Sequence, residues 1–301
     1  MRVLVTGGAG FIGRHLVGSL LENGYMVTIF DNFSNSTKGS VSYLVDIGVT
    51  VIEGDITNPI EISDAVRNQD VVIHLAAKIS VSESIINPAE TFRVNVNGTR
   101  NILAACKENH VKKLIAASSA AVYGEGCPDV NLTEESETSP ISPYGESKVK
   151  MEQEIREFES KHGISYVILR FFNIFGVGQS KEYSGVISKF VEKISQEKPL
   201  EIFGNGMQTR DFVAIEDVVN SIHNALQYSN SGTYNIASGK STTIKDLAKQ
   251  MILLSGKKLE IKYSTRKKED IEYSQAEIFL AKKEIKYFPK NELDKIRELL
   301  E

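Results

Sequence analysis

The sequence predicts an α/β protein in which a doubly wound parallel sheet carries helices on both faces. Short apolar runs alternate with helical patterns over the first 118 residues, and this alternation is typical of a parallel sheet. The first apolar run leads through a glycine-rich turn into a helix, as in dinucleotide-binding folds. At 301 residues the chain is long enough for one large or two modest domains.

The first predicted unit is a strand at residues 2–5, a turn that contains several glycines, and a helix that stops at Asn23. Gly7 is expected to allow the tight turn, Gly10 to let the backbone approach a pyrophosphate, and Gly13 to let the helix lie close to the sheet. The diphosphate would then meet the positive end of the helix. The alternative is that these glycines only tighten a strand-helix turn.

The second predicted strand, residues 26–30, ends at Asp31, which follows Gly13 by 18 residues. A carboxylate at this point is expected to accept hydrogen bonds from the ribose of an adenosine. It also repels a 2′-phosphate, and no arginine follows it closely, so the pattern favours NAD over NADP. The spacing G-x-x-G-x-x-G, with Gly8 as a fourth glycine, resembles that of the short-chain dehydrogenase/reductase superfamily.

Polar residues follow the next two strand ends. The loop that contains Asn32, Asn35 and Ser36 is well suited to surround an adenosine. The third strand, residues 50–53, is followed by Asp55, which could reach the adenine amino group or serve only as a turn residue. Because ligands collect at the carboxyl ends of parallel strands, these side chains are expected at one edge of the sheet.

The fourth strand, predicted at residues 70–75, runs into Ala76 and Ala77, where small side chains let a flat ligand approach the backbone. The helix predicted at residues 89–109 carries Asn95 within its apolar face. A buried amide needs a hydrogen-bond partner, which could be a water, a backbone group or the cofactor.

The candidate chemistry lies at the fifth strand and the helix after it. The strand, predicted at residues 114–118, brings Ser118 and Ser119 to the same edge, and the helix opens with Tyr144 and carries Lys148 one turn later. A neighbouring ammonium favours the phenolate of a tyrosine, and the serine hydroxyl could fix the proton path. The alternative is an exposed Tyr-Lys pair on a surface helix.

The chain changes character after the sixth strand, predicted at residues 166–171. The irregular pattern beyond it predicts a Rossmann-type NAD-binding domain at residues 1–172 and a smaller C-terminal α+β substrate domain at residues 173–301, with segments that can interleave. Near its end, a run that begins at Arg266 offers cations that could hold a second diphosphate. A solvated basic run is the alternative.

Seven motifs together resemble the extended short-chain dehydrogenases that act on nucleotide sugars, and most of all the nucleotide-sugar 4-epimerases related to UDP-glucose 4-epimerase. The likeness covers almost the whole chain. The motifs are TGGAGFIG at Thr6, HLAA at His74, NVNGT at Asn95, SSAAVYG at Ser118, YGESK at Tyr144, LRFFNIFG at Leu169 and TRDF at Thr209.

The resemblance implies NAD as the cofactor, a UDP-sugar as the substrate, Ser119 as the catalytic serine, Tyr144 as the acid/base and Lys148 as the residue that tunes it. The separation of 25 residues, from 119 to 144, is the one the family uses. The residues expected around NAD, from strand ends and resemblance together, are Gly7, Gly10, Phe11, Ile12, Gly13, Asp31, Asn32, Asn35, Ser36, Asp55, Ile56, Leu75, Ala76, Ala77, Asn95, Ser118, Tyr144, Lys148 and Phe172. Those expected around the nucleotide sugar are Ser119, Asn173, Phe203, Arg210, Lys267, Asp270 and Ser274.

The residues after the serine bear on the reaction type. Sugar 4,6-dehydratases of this family need a carboxylic acid just after the catalytic hydroxyl, whereas this chain has Ala120 and Ala121. A 4-epimerase needs only a group that removes the C4 hydroxyl proton, a hydride acceptor, and a 4-keto sugar that turns over in the site. The alternatives are another nucleotide-sugar oxidoreductase, a UDP-glucuronate epimerase, and an NAD-binding regulator without catalysis.

The C-terminal motif bears on the substrate. Alignment on Asp270 puts Lys267 where the family usually has an arginine, and Arg266 lies one position earlier, so either cation could hold the diphosphate. In the family, a bulky residue at the position of Ser274 restricts the site to plain hexoses. The small serine therefore predicts that an N-acetyl group fits as well.

Bulk properties exclude several classes of function. A net charge of −4 argues against nucleic acid as a partner, and the two cysteines and five scattered histidines predict no metal site and a reducing compartment. Because the first strand is predicted from residue 2 and no apolar run approaches about 20 residues, we expect no signal peptide, no membrane span and a cytoplasmic protein. The resemblance implies a homodimer through the helices at residues 89–109 and 144–161.

Overall fold

The computed structural model describes residues 1–179, 185–266, 270–290 and 293–300. The strands within these ranges are β1 (Arg2–Thr6), β2 (Met26–Asp31), β3 (Thr50–Glu53), β4 (Val71–His74), β5 (Lys113–Ser119), β6 (Ser165–Phe171), β7 (Asn173–Phe175), β8 (Leu200–Phe203), β9 (Thr209–Ala214), β10 (Gly232–Ile236), β11 (Ser241–Thr243) and β12 (Ile261–Ser264). The α-helices are α1 (Phe11–Glu22), α2 (Ser42–Asp46), α3 (Pro59–Val66), α4 (Val81–Ile86), α5 (Pro88–Phe92), α6 (Gly98–Glu108), α7 (Pro143–His162), α8 (Val186–Ser195), α9 (Ile215–Gln227), α10 (Ile244–Ser255) and α11 (Phe279–Glu284).

A seven-stranded sheet in the order β10-β6-β5-β4-β1-β2-β3 forms the centre of the fold, and all its strand pairs are parallel. In β1, Val3 and Val5 face one core while Leu4 faces the other, and all three are fully buried. Helices α1 and α9 cover the first face, and α3, α6 and α7 cover the second. These layers confirm the predicted α/β, Rossmann-type class.

A smaller unit follows the large sheet. Strands β11, β9 and β7 form a three-stranded sheet, and β8 pairs with β12. Their shared core contains Phe190 from α8, Leu200 from β8, and Leu247 and Met251 from α10. Strand β9 ends at Ala214, and Ile215 already begins α9, which returns the chain to the large sheet.

The two units interleave along the chain. Strand β10 returns to the large sheet and pairs with β6, so that Gly232 lies opposite Val167. Helix α9, which precedes β10, packs against the same core as α1. Residues 215–236 therefore belong structurally with the large sheet, although they follow the boundary at residue 172.

Two helices differ from the sequence-based expectation. The helix predicted at 89–109 is divided into α5 and α6 by a π-helical turn, Arg93–Asn97, which contains Asn95. Such a turn holds one extra residue and so redirects the side chains within it. Helix α7 begins one residue earlier than predicted, because Ser142 is its N-cap and accepts a hydrogen bond from Gly145 N at 3.2 Å.

Candidate active site

A cleft of about 510 Å³ follows the carboxyl edge of the large sheet, from the loop after β2 to the first turns of α7. This size is within the range of about 300 to 1,000 Å³ that ligand sites commonly have. All the residues predicted around the cofactor line it except Asn95, namely Gly7, Gly10, Phe11, Ile12, Gly13, Asp31, Asn32, Asn35, Ser36, Asp55, Ile56, Leu75, Ala76, Ala77, Ser118, Tyr144, Lys148 and Phe172.

The glycine turn has no room for side chains at two positions. Gly7 has a φ of +71°, and a Cβ there would lie 2.6 Å from the backbone nitrogen of Ala76. A Cβ at Gly13 would lie 2.5 Å from the carbonyl oxygen of Gly7, so α1 packs this closely only because residue 13 is glycine. Among the described residues, a Cβ at Gly10 would approach one atom, the Gly7 oxygen at 3.2 Å, and this position leaves space for a ligand.

Helix α1 presents its N-terminus to the cleft, because Phe11, Ile12 and Gly13 all line it. Gly10 is the N-cap residue, and no side chain among the described residues caps the helix. Uncapped N–H groups at the positive end of a helix are suited to bind an anion. The turn could therefore hold the diphosphate of a dinucleotide.

Asp31 ends β2 and is held by the glycine turn. Its Oδ2 accepts a hydrogen bond from Ala9 N at 3.0 Å, and its Oδ1 accepts one from Phe33 N at 2.8 Å. Burial raises the pKa of this carboxyl group, and the two hydrogen bonds oppose the rise. A carboxylate has about four acceptor sites, so capacity remains for ribose hydroxyl groups in the cleft.

Asp55 has two roles in the structure. It lines the cleft, and its Oδ1 also accepts hydrogen bonds from Thr57 N at 2.8 Å and Thr57 Oγ1 at 2.7 Å, which shape the loop after β3. Asn32 Nδ2 donates to Oδ2 at 3.0 Å. Burial raises the pKa of Asp55, but the hydrogen bonds outweigh it and lower the pKa. Asp55 is therefore both a turn residue and an ionised acceptor beside the loop after β2.

Ser119, at the end of β5, meets Tyr144 and Lys148 from the first turns of α7, and all three line the cleft. The Ser119 hydroxyl is hydrogen-bonded to the Tyr144 phenol, and Ser119 Oγ accepts a hydrogen bond from Ala121 N at 3.1 Å. Lys148 Nζ donates to the carbonyl oxygen of Ala117 at 2.9 Å. The sequence pattern thus folds into a Ser-Tyr-Lys triad at one end of the cleft.

Burial governs the protonation of this triad. It raises the pKa of Tyr144, and the hydrogen bond with Ser119 lowers that pKa in part. It lowers the pKa of Lys148 to about 8, against the opposing effect of the Glu152 carboxylate. The predicted phenolate at Tyr144 therefore requires a further positive charge in the cleft, and a bound nicotinamide ring would supply one.

Asn95 differs from the other residues predicted around the cofactor, because it does not line the cleft and is 1% exposed. Its Oδ1 accepts from Lys78 N at 2.8 Å, while its Nδ2 donates to Lys78 O and to Ser147 Oγ, each at 2.9 Å. Ser147 Oγ in turn donates to Tyr144 O at 2.7 Å. The π-helical turn directs this amide into the protein, where it joins the end of β4 to the first turn of α7.

Ser118 lines the cleft as predicted, but its hydroxyl is bound elsewhere. Ser118 Oγ donates to Glu152 Oε1 at 2.6 Å, and the residue is buried. Because alternate residues of a strand face opposite sides of the sheet, Ser118 and Ser119 cannot both direct their side chains to the triad. The Ser118 hydroxyl is therefore committed to the protein.

The predicted substrate residues are only partly brought together. Ser119 and Asn173 line the cleft, whereas Phe203 lies at the end of β8 outside it. Asn173 is paired with Phe212 in the neighbouring strand β9. Arg210 lies two residues before Phe212, on the same face of β9 and about 7 Å along the strand. The second sheet therefore connects the cleft to Arg210.

The C-terminal motif lies around Arg210. The Arg210 guanidinium is buried and forms an ion pair with Asp270, while Arg266 NH2 donates to the backbone oxygen of Asp270 at 2.7 Å. Ser274 is buried, and Lys267 lies outside the described residues. Within the described ranges, Arg266 is thus the cation of the basic run that lies near Arg210.

Of the described residues that line the cleft, three charged ones are not predicted from the sequence: Lys78, Glu90 and Arg93. Arg93 donates to the Glu90 carboxylate at 2.7 and 2.8 Å and to Thr57 Oγ1 at 2.7 Å. Lys78 directly follows Ala77 in the segment after β4, and this position beside predicted cofactor residues could have identified it. Glu90 lies in α5 and Arg93 in the π-helical turn, and both elements lie beside the cleft. The spacing of the two residues in the sequence does not indicate this position.

Two further properties concern the described residues as a whole. They contain no group of three or more histidine, cysteine, aspartate or glutamate side chains arranged to hold a metal ion. Across the same residues, no helix has the length and apolar character that crossing a bilayer requires.

Comparisons with known proteins agree with this geometry. Residues 3–237 match the model of the NAD dependent epimerase/dehydratase family. The chain is 40% identical to a putative UDP-glucose 4-epimerase of Methanocaldococcus jannaschii over 81% of this chain and 79% of that protein. Among solved structures, UDP-N-acetylglucosamine 4-epimerase from Methanobrevibacter ruminantium has a TM-score of 0.94 at 33% identity, with 99% of this chain and 96% of that chain covered.

A second solved structure is the UDP-glucose 4-epimerase of Thermotoga maritima with UDP-glucose, which has a TM-score of 0.94 at 32% identity. This match covers 100% of this chain and 97% of that chain. Similarity of this extent includes the glycine turn, the cleft and the smaller unit together. The chain belongs to the NAD-dependent epimerase/dehydratase family.

Proposed function

We propose that this protein is a 4-epimerase of UDP-hexoses that retains its NAD through each catalytic cycle. One observation carries the proposal: Ser119, Tyr144 and Lys148 lie together at one end of the cleft, beside Ala120 and Ala121. This set can move the proton of a sugar hydroxyl. It has no carboxylic acid in the position from which the family's dehydratases eliminate water.

The protein groups of the cleft fit NAD. The open position at Gly10 and the uncapped N-terminus of α1 are suited to the diphosphate, and Asp31 to the adenosine ribose. Asp55 and the loop after β2 are placed to surround the adenine. Lys148 lies beside Tyr144, where it would bind the nicotinamide ribose.

Each residue of the triad has a defined task in this proposal. Bound NAD⁺ would accept the hydride from C4 of the sugar and return it to the opposite face. Tyr144 takes the C4 hydroxyl proton and later gives it back, with the Ser119 hydroxyl between phenol and sugar. Lys148, together with the positive charge of the oxidised ring, stabilises the phenolate against its burial.

The charges along the cleft support a neutral hexose rather than a uronate. Among the described residues, the acids that line it are Asp31, Asp55 and Glu90, and none of these three belongs to the triad end. Of the lining cations, Arg93 is paired with Glu90, and Lys78 lies within the electrostatic range of Glu90. Lys148 is hydrogen-bonded to Ala117 O, so the described lining residues offer no second cation at the triad for a C6 carboxylate.

The smaller unit would bind the UDP part, with Asn173, Phe203 and Arg210 as the candidate contacts. Arg266 is the stronger candidate for the second cation because it already lies at Asp270. We further propose that the small side chain of Ser274 lets the site accept N-acetylhexosamines. The similar structures include both UDP-glucose and UDP-N-acetylglucosamine 4-epimerases, so both substrates belong in the assay.

The decisive assay uses the purified protein without added NAD. UDP-galactose, UDP-N-acetylgalactosamine and UDP-glucuronate are followed separately by NMR for inversion at C4. We expect conversion of the first two without added cofactor, and no conversion of the third. Tyr144→Phe is the inactive control for background conversion.

Two outcomes would contradict the proposal. Net consumption of NAD(H) with an equivalent amount of oxidised or reduced sugar would identify another nucleotide-sugar oxidoreductase. Failure to convert any of the three sugars, with or without NAD, would favour the non-catalytic regulator, provided that the folded protein binds NAD.

We also propose a cytoplasmic homodimer that associates through α5, α6 and α7. Helix α4 packs beside α7 and exposes 84% of Ile86, an apolar side chain that a partner surface would cover. Light scattering after size exclusion should give twice the chain mass of 33.3 kDa. Ile86→Glu should shift the protein toward the monomer, whereas a wild-type monomer would contradict this part of the proposal.

A further inference from the structure

Glu152 is a buried carboxylate on the helix that carries the triad. It lies four residues after Lys148 in α7, and its side chain is 1% exposed. Glu152 Oε1 accepts hydrogen bonds from Ser118 Oγ at 2.6 Å and Arg170 Nε at 2.9 Å, and Oε2 accepts one from Arg170 NH2 at 2.7 Å. A carboxylate buried this far requires such partners, because isolated charges are costly to remove from water.

The two partners of Glu152 lie opposite each other in the sheet. Ser118 of β5 is in register with Arg170 of β6, one residue before Ser119 and Phe171 respectively. One carboxylate on α7 therefore holds two adjacent strands directly before the point at which they enter the cleft. Ser119 ends β5, and Tyr144 and Lys148 lie on α7, so Glu152 joins the strand and the helix that supply the triad.

The groups around Glu152 define its electrostatic environment. Arg156 NH2 donates to Oε2 at 2.5 Å from the next turn of α7. Beyond Arg170, Tyr123 accepts a hydrogen bond from Arg170 NH1 at 2.9 Å, and the Glu134 carboxylate acts on Tyr123 and Arg170 through its charge. Two arginines thus neutralise Glu152 on the side away from the triad.

Within the described part of the chain, three titratable groups are identified near Lys148. Tyr144 lies one turn before it on α7, Glu152 one turn after it, and the buried His74 of β4 lies within its electrostatic range. His74 has a pKa of about 3 because of its burial, so it is neutral at any pH at which the enzyme would work. Glu152 is therefore the anion of this group.

We propose that Glu152 is a positioning residue for the triad: it fixes α7 against the ends of β5 and β6, and it places a buried negative charge one helical turn from the Lys148 ammonium. This inference rests on the proposed epimerase function. Its consequence is that Lys148 stays protonated at neutral pH in a site from which water is largely excluded.

The direction of the charge effect follows from the burial. Burial lowers the pKa of Lys148 to about 8, and the Glu152 carboxylate opposes this effect. Glu152→Gln removes the negative charge and leaves Arg156 and Arg170 without their counter-ion. Both changes disfavour an ammonium nearby, so the Lys148 pKa should fall further in this variant.

The test compares Glu152→Gln with Glu154→Gln, a matched change two residues along α7. Glu154 forms ion pairs with Arg100 and Lys150 at the surface, away from the strand ends. We expect the alkaline limb of the kcat profile to move to lower pH by about one unit in Glu152→Gln and to stay in place in Glu154→Gln. A limb that does not move in Glu152→Gln would overturn the charge effect.

A second readout does not depend on turnover. Protein labelled with ¹³Cε-lysine gives a Lys148 signal that is assigned by its loss in Lys148→Arg, and its titration reports the ammonium directly. The titration midpoint should fall by about one unit in Glu152→Gln alone. If the wild-type protein epimerised no UDP-sugar, this titration would still decide the inference, so the two failures are distinguishable.

Two conservative variants keep the inference testable if Glu152→Gln fails to fold. Glu152→Asp keeps the charge and should keep the Lys148 midpoint within about 0.3 units. Ser118→Ala keeps the charge but removes the hydrogen bond to β5, and should lower kcat by about tenfold without moving the alkaline limb. An unchanged kcat in Ser118→Ala, or a displaced midpoint in Glu152→Asp, would contradict the positioning role.

Discussion

The Lys148 Nζ atom donates a 2.9 Å hydrogen bond to the carbonyl oxygen of Ala117, two residues before the serine that meets Tyr144. This bond ties α7 to β5 immediately behind the triad. It also satisfies a buried ammonium whose pKa burial lowers to about 8. The protonation of the triad is therefore sensitive to nearby charges.

Replacement of the Tyr144 phenol should abolish turnover without loss of the fold. Tyr144→Phe removes the group that takes the C4 hydroxyl proton, so we expect kcat to fall by about 10²- to 10⁴-fold. The NAD content of the purified protein, measured after denaturation, should stay unchanged. Tyr263→Phe is the matched control, because Tyr263 is 51% exposed on β12, and it should keep full activity. Residual turnover within tenfold of wild type would exclude Tyr144 as the acid/base.

The close packing of α1 against the glycine turn should leave no room for a methyl group at Gly13. Gly13→Ala places a Cβ 2.5 Å from the Gly7 carbonyl oxygen, and we expect a loss of about 1–3 kcal/mol in unfolding free energy together with weaker NAD retention. Gly18→Ala is a control in the same helix, because a Cβ there meets no described atom within 4 Å. It should stabilise the protein by about 0.5–1 kcal/mol. Urea denaturation measures both, and equal effects would contradict the packing argument.

Buried His74 should make stability depend on pH on the acidic side. Its ring contacts Thr6 Oγ1 at 2.8 Å and Thr99 Oγ1 at 3.0 Å, and its pKa is about 3 in the folded protein. The unfolded chain takes up this proton near pH 6.5, whereas the folded chain does not. The contribution of His74 to stability is therefore complete above about pH 6.5. As the pH falls from about 6 toward 4, the free energy of unfolding should decrease by about 1.4 kcal/mol per pH unit because of His74.

The free energy of unfolding is measured as a function of pH for wild type and His74→Asn, and the two curves are subtracted. Asp211, whose pKa burial raises to about 6, titrates in both proteins and cancels in this difference. His110→Asn is the control for the loss of a histidine at an exposed position, where asparagine tolerates the φ of +56°. Parallel profiles for wild type and His74→Asn would show that the ring takes up its proton as readily in the folded as in the unfolded chain, which would contradict the prediction.

The size of residue 274 should decide between the two classes of hexose. Ser274→Tyr adds bulk at a buried position, so we expect turnover of UDP-N-acetylgalactosamine to fall at least about tenfold relative to UDP-galactose. Ser274→Ala keeps the side chain small and should leave the ratio of the two rates near that of wild type. Thermal unfolding checks that the tyrosine variant is folded. An unchanged ratio in a folded tyrosine variant would remove Ser274 as the determinant.

Much of the fold and of the site could be predicted because local patterns determine them. The strand-glycine-helix order of the first 24 residues depends on backbone freedom and apolar periodicity, which neighbouring residues decide. Tyr144 and Lys148 share a helix face through their spacing alone. Parallel strands end at one edge, so the topology by itself brings Ser119, Asp31 and the glycine turn to the same cleft.

The missed features depend on contacts between segments distant in sequence. Asn95 was expected at the cofactor, but the π-helical turn directs it to Lys78 and Ser147. Glu152 is another acid in a helix rich in charged residues, and its importance arises only because Ser118 and Arg170 lie beside it in the folded protein. Helical periodicity shows which face an acid occupies. It does not show which strand ends that face will meet.

Residue type and short spacing were enough to predict the class of fold, the dinucleotide turn and the preference for NAD, and they placed Tyr144 and Lys148 on one helix face. The choice of Ser119 as their partner came from the resemblance to the family. Tertiary structure alone decided the return of β10 to the large sheet, the ion pair between Arg210 and Asp270, and the rise in the pKa of Tyr144. These depend on burial and on pairing across the chain. Desolvation is set by every neighbour of a group, and local sequence specifies only a few of those neighbours.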